Sequence, residues 1–234
     1  MFTGGYGIYI IITLVFAGIG AIVSNRLKSK FKHYSQVPMT NRMSGAEVAE
    51  RMLAHYGIRD VKIVPGQGML TDHYNPATKT VSLSPDVFQG RSVAAAAVAS
   101  HECGHAVQHA EGYAFLKFRS AMVPVVQVAS KFQSILLMLA IGGIAGGFGG
   151  RTILLITIIA FAVTTLFSLL TLPVEFDASN RALAWLESSG TARGELHDGA
   201  TAALWWAAMT YVVAALSALT ILVWLVLRYM GQRN

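Results

Sequence analysis

"VASHECGHAVQHAEG", residues 98 to 112, is the most informative stretch of this sequence, because it combines a metal-ligand spacing with a helical pattern. Two histidines lie four residues apart around a glutamate, and on a helix of about 3.6 residues per turn His101 and His105 share one face. Both rings can therefore present a nitrogen to one metal ion, whereas Glu102 is turned by about 100° and can reach a water on that ion. The spacing predicts a helical metal site suited to general-base hydrolysis, and a further ligand must come from elsewhere in the chain.

The helix around this motif is predicted to cover residues 93–111, with Ser92 as its N-cap. Its apolar half, "VAAAAVAS", is too short to cross a bilayer, so we expect a buried core helix. Gly104 should let another element approach closely, and Cys103 should be a small core residue rather than a redox group. His109 lies one further turn along and cannot complete a tetrahedron with both other histidines, so it is expected at the surface or beside the ligands.

The composition is that of a membrane protein, because 54% of the 234 residues are hydrophobic and only 13% are charged. A single cysteine excludes an intramolecular disulfide. The net charge of +6 comes without any basic run interleaved with aromatic residues, so nucleic acid is not an expected partner. The lipid bilayer is the simpler partner for this charge.

Four uncharged apolar runs are each long enough to cross a bilayer of about 30 Å at 1.5 Å per residue. They are residues 6–23, 132–149, 152–172 and 200–227. Basic residues follow the first run at 26–32 and none precedes it, which favours a membrane anchor with residues 25–131 and 173–199 inside over a secretory signal. The second and third runs form a hairpin that turns at "GGFGGR", residues 146–151, and both termini lie outside.

Between the first two runs, residues 36–120 have the patterns of an α+β unit. Ser44 and Glu47 form a capping box ahead of an amphipathic helix, "VKIV" at 61–64 is a strand, and Asn75-Pro76 marks a turn between two extended pieces. Ser84 is expected to cap a short helix that opens at Pro85. The extended piece before the turn is a candidate edge strand to which a peptide substrate adds, or else only a hairpin of the core. It comprises Met69, Leu70, Thr71, Asp72, His73 and Tyr74.

The third metal ligand has a candidate in "TLPVEFDASNRALAWLESSG", residues 171–190. Glu175 follows Pro173, which we expect to end the third span and leave the carboxylate at the membrane interface rather than in lipid. Two membrane crossings separate His105 from Glu175, and an even number is required for them to meet. Asp177 is turned by about 200° from Glu175 on a helix, so both cannot face one ion, and spacing alone does not choose between them.

The predicted organisation is that of a mainly α-helical membrane protein with four transmembrane helices. Its parts are a first span (1–25), a cytoplasmic unit with the HExxH helix (26–131), a helical hairpin (132–172), a cytoplasmic helix with the third ligand (173–199), and a last span with the tail (200–234).

Three motifs, "TDHYNPATKTVSLS", "HECGHAVQH" and "LPVEFDASNRAL", in that order and between those spans, resemble the bacterial membrane zinc metallopeptidases of the YugP type. More distantly, the pattern is similar to gluzincin membrane proteases of the HtpX kind. The resemblance implies a gluzincin-like unit in the cytoplasmic membrane with one zinc ion on His101, His105 and Glu175, and with Glu102 as general base. Those relatives carry Asp where this chain has Ser179, which can accept the same hydrogen bond from a ligand histidine more weakly.

Together these features predict a zinc endopeptidase that cleaves proteins or peptides at the cytoplasmic membrane face. An intramembrane protease is disfavoured, because none of the predicted spans contains Asp or Glu. A non-catalytic zinc-binding membrane assembly protein is the remaining alternative. Only Glu102 separates the two, since a structural zinc site has no use for a carboxylate at that position.

Overall fold

A computed structural model of the chain describes residues 3–68, 71–141 and 150–231. It is mainly helical with one small sheet. The elements in these ranges are α1 (Thr3–Tyr34), α2 (Gly45–His55), β1 (Lys62–Pro65), β2 (His73–Asn75), β3 (Thr80–Leu83), α3 (Pro85–Phe88), α4 (Val93–Ala110), α5 (Ala114–Ile141), α6 (Gly150–Ser188) and α7 (Glu195–Gly231).

Within the described ranges, four helices are long and apolar enough to cross a membrane, as predicted. The candidate spans are Gly7–Tyr34, Ala114–Ala140, Gly150–Ser188 and Glu195–Gly231. The second begins 18 residues before the predicted start at residue 132, because polar residues such as Lys117 and Gln127 lower the hydropathy of this stretch without ending the helix. The predicted turn at residues 146–151 falls mostly outside the described residues.

Pro173 does not end the third long helix, contrary to the sequence prediction. Helix α6 continues through it to Ser188, with Pro173 in its interior. A proline removes one helical hydrogen bond, and helices that cross membranes tolerate this loss when neighbouring structure supports the backbone. Here the residues after the proline are held by burial: Val174, Ala178 and Ala182 are each 0% exposed.

The contacts divide the chain into two units. We call Val23–Lys117 with Pro173–Met209 the polar unit, and Met1–Ile22 with Phe118–Leu172 and Thr210–Asn234 the apolar unit. The apolar unit buries a small cluster that includes Leu154, Phe161 and Leu225, and its remaining large side chains are mostly exposed, as is expected of lipid-facing helices.

The polar unit has a continuous core around α4. Val48, Met52, Val81, Leu83 and Trp185 are all at most 1% exposed in this cluster. The predicted capping box is present, since Ser44 accepts from the Glu47 N–H at 3.2 Å and the Glu47 carboxylate accepts from the Ser44 N–H at 2.7 Å. This cap fixes the start of α2, whose buried face packs on α4.

The sheet has the order β1-β3-β2, with β1 parallel and β2 antiparallel to β3. Among the described strands β2 is thus an edge strand, but it spans only His73 to Asn75, shorter than the expected extended piece. Thr71 and Asp72 lie outside the strand; Thr71 Oγ1 donates to the Gln67 carbonyl, and the Asp72 carboxylate accepts from the Ser84 N–H. Met69 and Leu70 lie outside the described residues.

Ser84 precedes α3 as predicted, but its side chain makes no capping hydrogen bond. Its hydroxyl donates to the Asp72 carboxylate at 3.0 Å instead. The N–H groups of Val87 and Phe88 donate to the Ser84 carbonyl, which begins the helix.

Candidate metal centre

Helix α4 holds the two histidines of the HExxH motif as the sequence predicts. Ser92 caps it by accepting from the Ala95 N–H at 3.2 Å, and almost all of its residues are buried. The ring centroids of His101 and His105 lie 4.8 Å apart with their planes at 81°. The helical period alone produces this pair, because residues four apart differ by about 40° around the axis.

Helix α6 reaches α4 at Gly104. A Cβ at this position would lie 2.5 Å from the Ala178 carbonyl oxygen, closer than real side chains approach a backbone. Only a residue without a side chain therefore allows the two helices to touch here, as expected for Gly104. The contact places the turn of α6 that carries Glu175 directly against the turn of α4 that carries both histidines.

Three ligand atoms converge at this contact. Glu175 Oε2 lies 3.3 Å from His101 Nε2 and 3.7 Å from His105 Nε2, and one donor atom from each of the three residues lies within 4.8 Å of the other two. Tetrahedral zinc with bonds of about 2.0–2.1 Å keeps its ligand atoms about 3.3 Å apart. The donor set and its spacing fit a zinc ion with a fourth position left open.

The candidate site is largely buried. The side chain of Glu175 is 3% exposed and that of His105 is 8% exposed. Burial works against the charged form of His105, but the hydrogen bond to Glu175 and the nearby charge of Glu102 outweigh it and raise the pKa of His105. A proton therefore competes with a metal ion for this ring.

Glu102 and Cys103 lie between the two histidines and are both buried in α4. Glu102 is 8% exposed and is outside the group of three ligand residues, as its rotation on the helix predicts. Cys103 is fully buried with Sγ 3.7 Å from the Ala49 carbonyl, and burial raises the pKa of its thiol well above the ordinary range. A neutral thiol in the core agrees with the expected packing role.

Each histidine has a hydrogen-bond partner on its other ring nitrogen. Ser179 Oγ lies 3.1 Å from His101 Nδ1, so Ser179 does meet one of the two histidines of the motif. Gln108 Oε1 lies 3.0 Å from His105 Nδ1. The sequence interpretation missed Gln108, although its place three residues after His105 puts it on the same helical face.

Asp177 turns away from the three ligand atoms, as its rotation from Glu175 predicts. Its Oδ2 accepts from Gln108 Nε2 at 2.8 Å and from Arg181 Nε at 2.6 Å. Its link to the candidate site thus runs through Gln108, which also contacts His105.

His109 is also outside the group of three among the described residues. Its Nδ1 lies 2.7 Å from the hydroxyl of Tyr74, and partial burial raises the pKa of Tyr74 to about 12. Tyr74 belongs to the edge strand β2, so this bond fixes the edge of the sheet to α4 one helical turn beyond His105.

Comparison with known proteins shows two similarities over nearly the whole chain. A family model described as "Putative neutral zinc metallopeptidase" matches residues 9–230. The chain is also similar to the "Putative membrane protease YugP" of Bacillus subtilis (strain 168), with 39% identity over 227 residues that cover 97% of this chain and 99% of that protein. No solved structure matches the chain.

Proposed function

The chain belongs to the family of neutral zinc metallopeptidases, and on that premise we propose that it is a membrane-embedded zinc endopeptidase of the gluzincin type. We propose that it cleaves protein or peptide substrates at the cytoplasmic face of a bacterial inner membrane, with one zinc ion per chain. The observation that carries the proposal is the convergence of His101, His105 and Glu175, whose spacing fits zinc with an open fourth position.

His101, His105 and Glu175 would hold the zinc ion, and Glu102 would transfer the proton. When bound, zinc supplies a water of lowered pKa and polarises the substrate carbonyl. Glu102, one residue after His101 and close enough to His105 for its charge to act on that ring, accepts the proton of the attacking water and returns it to the leaving amine. A structural zinc site would need no carboxylate in this place.

Strand β2 is the proposed site for the substrate backbone. Its partner β3 occupies one edge, and the other edge offers main-chain N–H and C=O groups that bind an extended peptide of any sequence. The bond between Tyr74 and His109 fixes this edge to the helix that carries the histidines. A peptide added to β2 would therefore lie along α4.

The cytoplasmic orientation rests on the basic residues Arg26, Lys28, Lys30 and Lys32 that follow the first apolar run. Engineered cysteines test it, because the native Cys103 is fully buried. We expect Thr40→Cys and Glu187→Cys to resist a membrane-impermeant maleimide in intact cells, and Gly147→Cys to react. Ready labelling at either of the first two positions would reverse the proposed orientation.

The catalytic proposal is tested by Glu102→Gln in the purified full-length protein. We expect peptide hydrolysis to fall at least about a thousandfold while zinc content stays at one per chain. Glu50→Gln, the same change at an exposed position of α2, is the matched control and should keep full activity. No hydrolysis by wild type with zinc bound would favour the non-catalytic assembly protein. Equal hydrolysis by wild type and Glu102→Gln would overturn the role of Glu102 as general base.

A further inference from the structure

Gln108 is a fully buried polar side chain that lies between α4 and α6 and touches a proposed ligand. We infer that Gln108 is a positioning residue: it fixes the Nδ1–H tautomer of His105, which leaves the lone pair of Nε2 free for the metal. This inference deepens the proposed function and rests on the metal site described there.

The orientation of the Gln108 amide follows from its other partners. Its Nε2 lies 2.8 Å from the Val174 carbonyl and 2.8 Å from the Asp177 carboxylate, and both of these groups only accept hydrogen bonds. The amide nitrogen must therefore point at α6, which turns the amide oxygen towards His105.

The tautomer of His105 follows in turn. An amide oxygen can only accept, so the 3.0 Å contact requires a proton on His105 Nδ1. A neutral imidazole with its proton on Nδ1 presents an unprotonated Nε2, and Nε2 is the atom that faces Glu175. No flipped amide satisfies the same contacts, since its oxygen would then face both the Val174 carbonyl and the Asp177 carboxylate.

A hydrogen-bond chain that reaches the surface also supports the Gln108 amide. Arg181 donates to Asp177 through Nε at 2.6 Å and to Glu111 through Nη1 at 2.5 Å. The carboxylate of Glu111 is half exposed, whereas Gln108 at the inner end is fully buried. A continuous chain of charged hydrogen bonds thus runs from solvent to Gln108 and ties the Glu175 turn of α6 to the His105 turn of α4.

His101 lacks such a constraint. Its partner Ser179 carries a hydroxyl, which can either donate to or accept from His101 Nδ1. The two histidines therefore depend on their partners to different degrees, and His105 is the ring whose tautomer the fold itself determines.

The test measures zinc dissociation constants of the full-length protein in lipid nanodiscs by competition with a chromophoric chelator. We expect Gln108→Met to bind zinc about 10–100-fold more weakly than wild type, the range found when a partner of a ligand histidine is removed. Gln127→Met, the same change at an exposed position of α5, should bind as wild type does. Zinc affinity of Gln108→Met within twofold of wild type would overturn the inference.

A second set of variants separates positioning from mere packing. Gln108→Glu keeps an acceptor for His105 but sets a carboxylate against Asp177, whereas adding Asp177→Asn supplies a donor to that carboxylate. We expect the double variant to bind zinc at least about tenfold more tightly than Gln108→Glu alone. A double variant no tighter than the single one would overturn the inference even if Gln108→Met fails to fold. Absence of zinc binding by wild type would instead overturn the proposed function, and the inference with it.

Discussion

In the polar unit, buried polar side chains bond to other elements, whereas in the apolar unit they bond mainly to their own helix. Gln108 and Ser179 each join α4 to α6. In the apolar unit, Ser168 and Thr171 donate to carbonyls four residues earlier on α6. In the polar unit, hydrogen bonds of polar side chains thus fix where two helices meet. In the apolar unit, they mainly give each polar side chain a partner within an apolar environment.

The largest expected effect comes from removing the proposed ligand that α6 brings to α4. Glu175→Ala should lose stoichiometric zinc and activity together, because one of three protein ligands would contribute roughly 3–5 kcal/mol of the about 10–16 kcal/mol typical of bound zinc. Metal analysis of the purified variant measures this. Asp177→Ala should keep its bound zinc, and the reverse pattern would move the ligand to Asp177.

Gly104→Ala tests the helix contact itself. The added methyl would meet the Ala178 carbonyl at 2.5 Å, so we expect a loss of about 2 kcal/mol in unfolding free energy together with weaker zinc binding. Gly18→Ala in α1 is the control from the apolar unit, since a Cβ there meets nothing within 4 Å. Thermal unfolding in detergent should show that Gly18→Ala is neutral or mildly stabilising; equal destabilisation by both changes would remove the contrast between the units.

Two substitutions of Ser179 should change zinc affinity less, and in opposite directions. Ser179→Ala should weaken zinc binding by about tenfold, because His101 loses its partner, whereas Ser179→Asp should preserve or tighten it by supplying a stronger acceptor. Chelator competition gives both values. Ser168→Ala, which removes a hydroxyl bonded only within α6, is the control that should leave zinc affinity unchanged. Wild-type affinity in both Ser179 variants would show that this bond does not support the site.

The smallest effect is expected where the apolar unit does join two helices. Thr157 Oγ1 lies 3.2 Å from the Leu136 carbonyl of α5 and 2.7 Å from the Ile153 carbonyl of its own helix. Thr157→Val should cost only about 0.6 kcal/mol, the mean for such bonds in membranes. Thr164→Val is the comparison, because the Thr164 hydroxyl lies within hydrogen-bond distance of the Ala160 and Phe161 carbonyls of its own helix. A cost above about 2 kcal/mol for Thr157→Val would show that the apolar unit also depends on specific polar contacts.

Features that depend on one helix or one turn were predictable. The histidine pair, the Ser92 and Ser44 caps and the close approach at Gly104 all follow from local spacing or residue type, and the structure contains each of them. The continuation of α6 through Pro173 was not predictable, because a proline next to a polar segment usually marks the end of a helix. Burial of Val174 and Ala178 against neighbouring elements outweighs that local preference.

The sequence by itself determined that α4 carries two histidines able to face one metal ion and that four helices can cross a membrane, since a helical period and an apolar length are properties of contiguous residues. Only the tertiary structure brings Glu175, and not Asp177, beside the two histidines, and only it places Gln108 against His105. Glu175 and Asp177 are two residues apart on one helix, so the choice depends on how α6 is rotated about its axis. The contact of Ala178 with Gly104 sets that rotation, and it joins residues 74 positions apart in the chain.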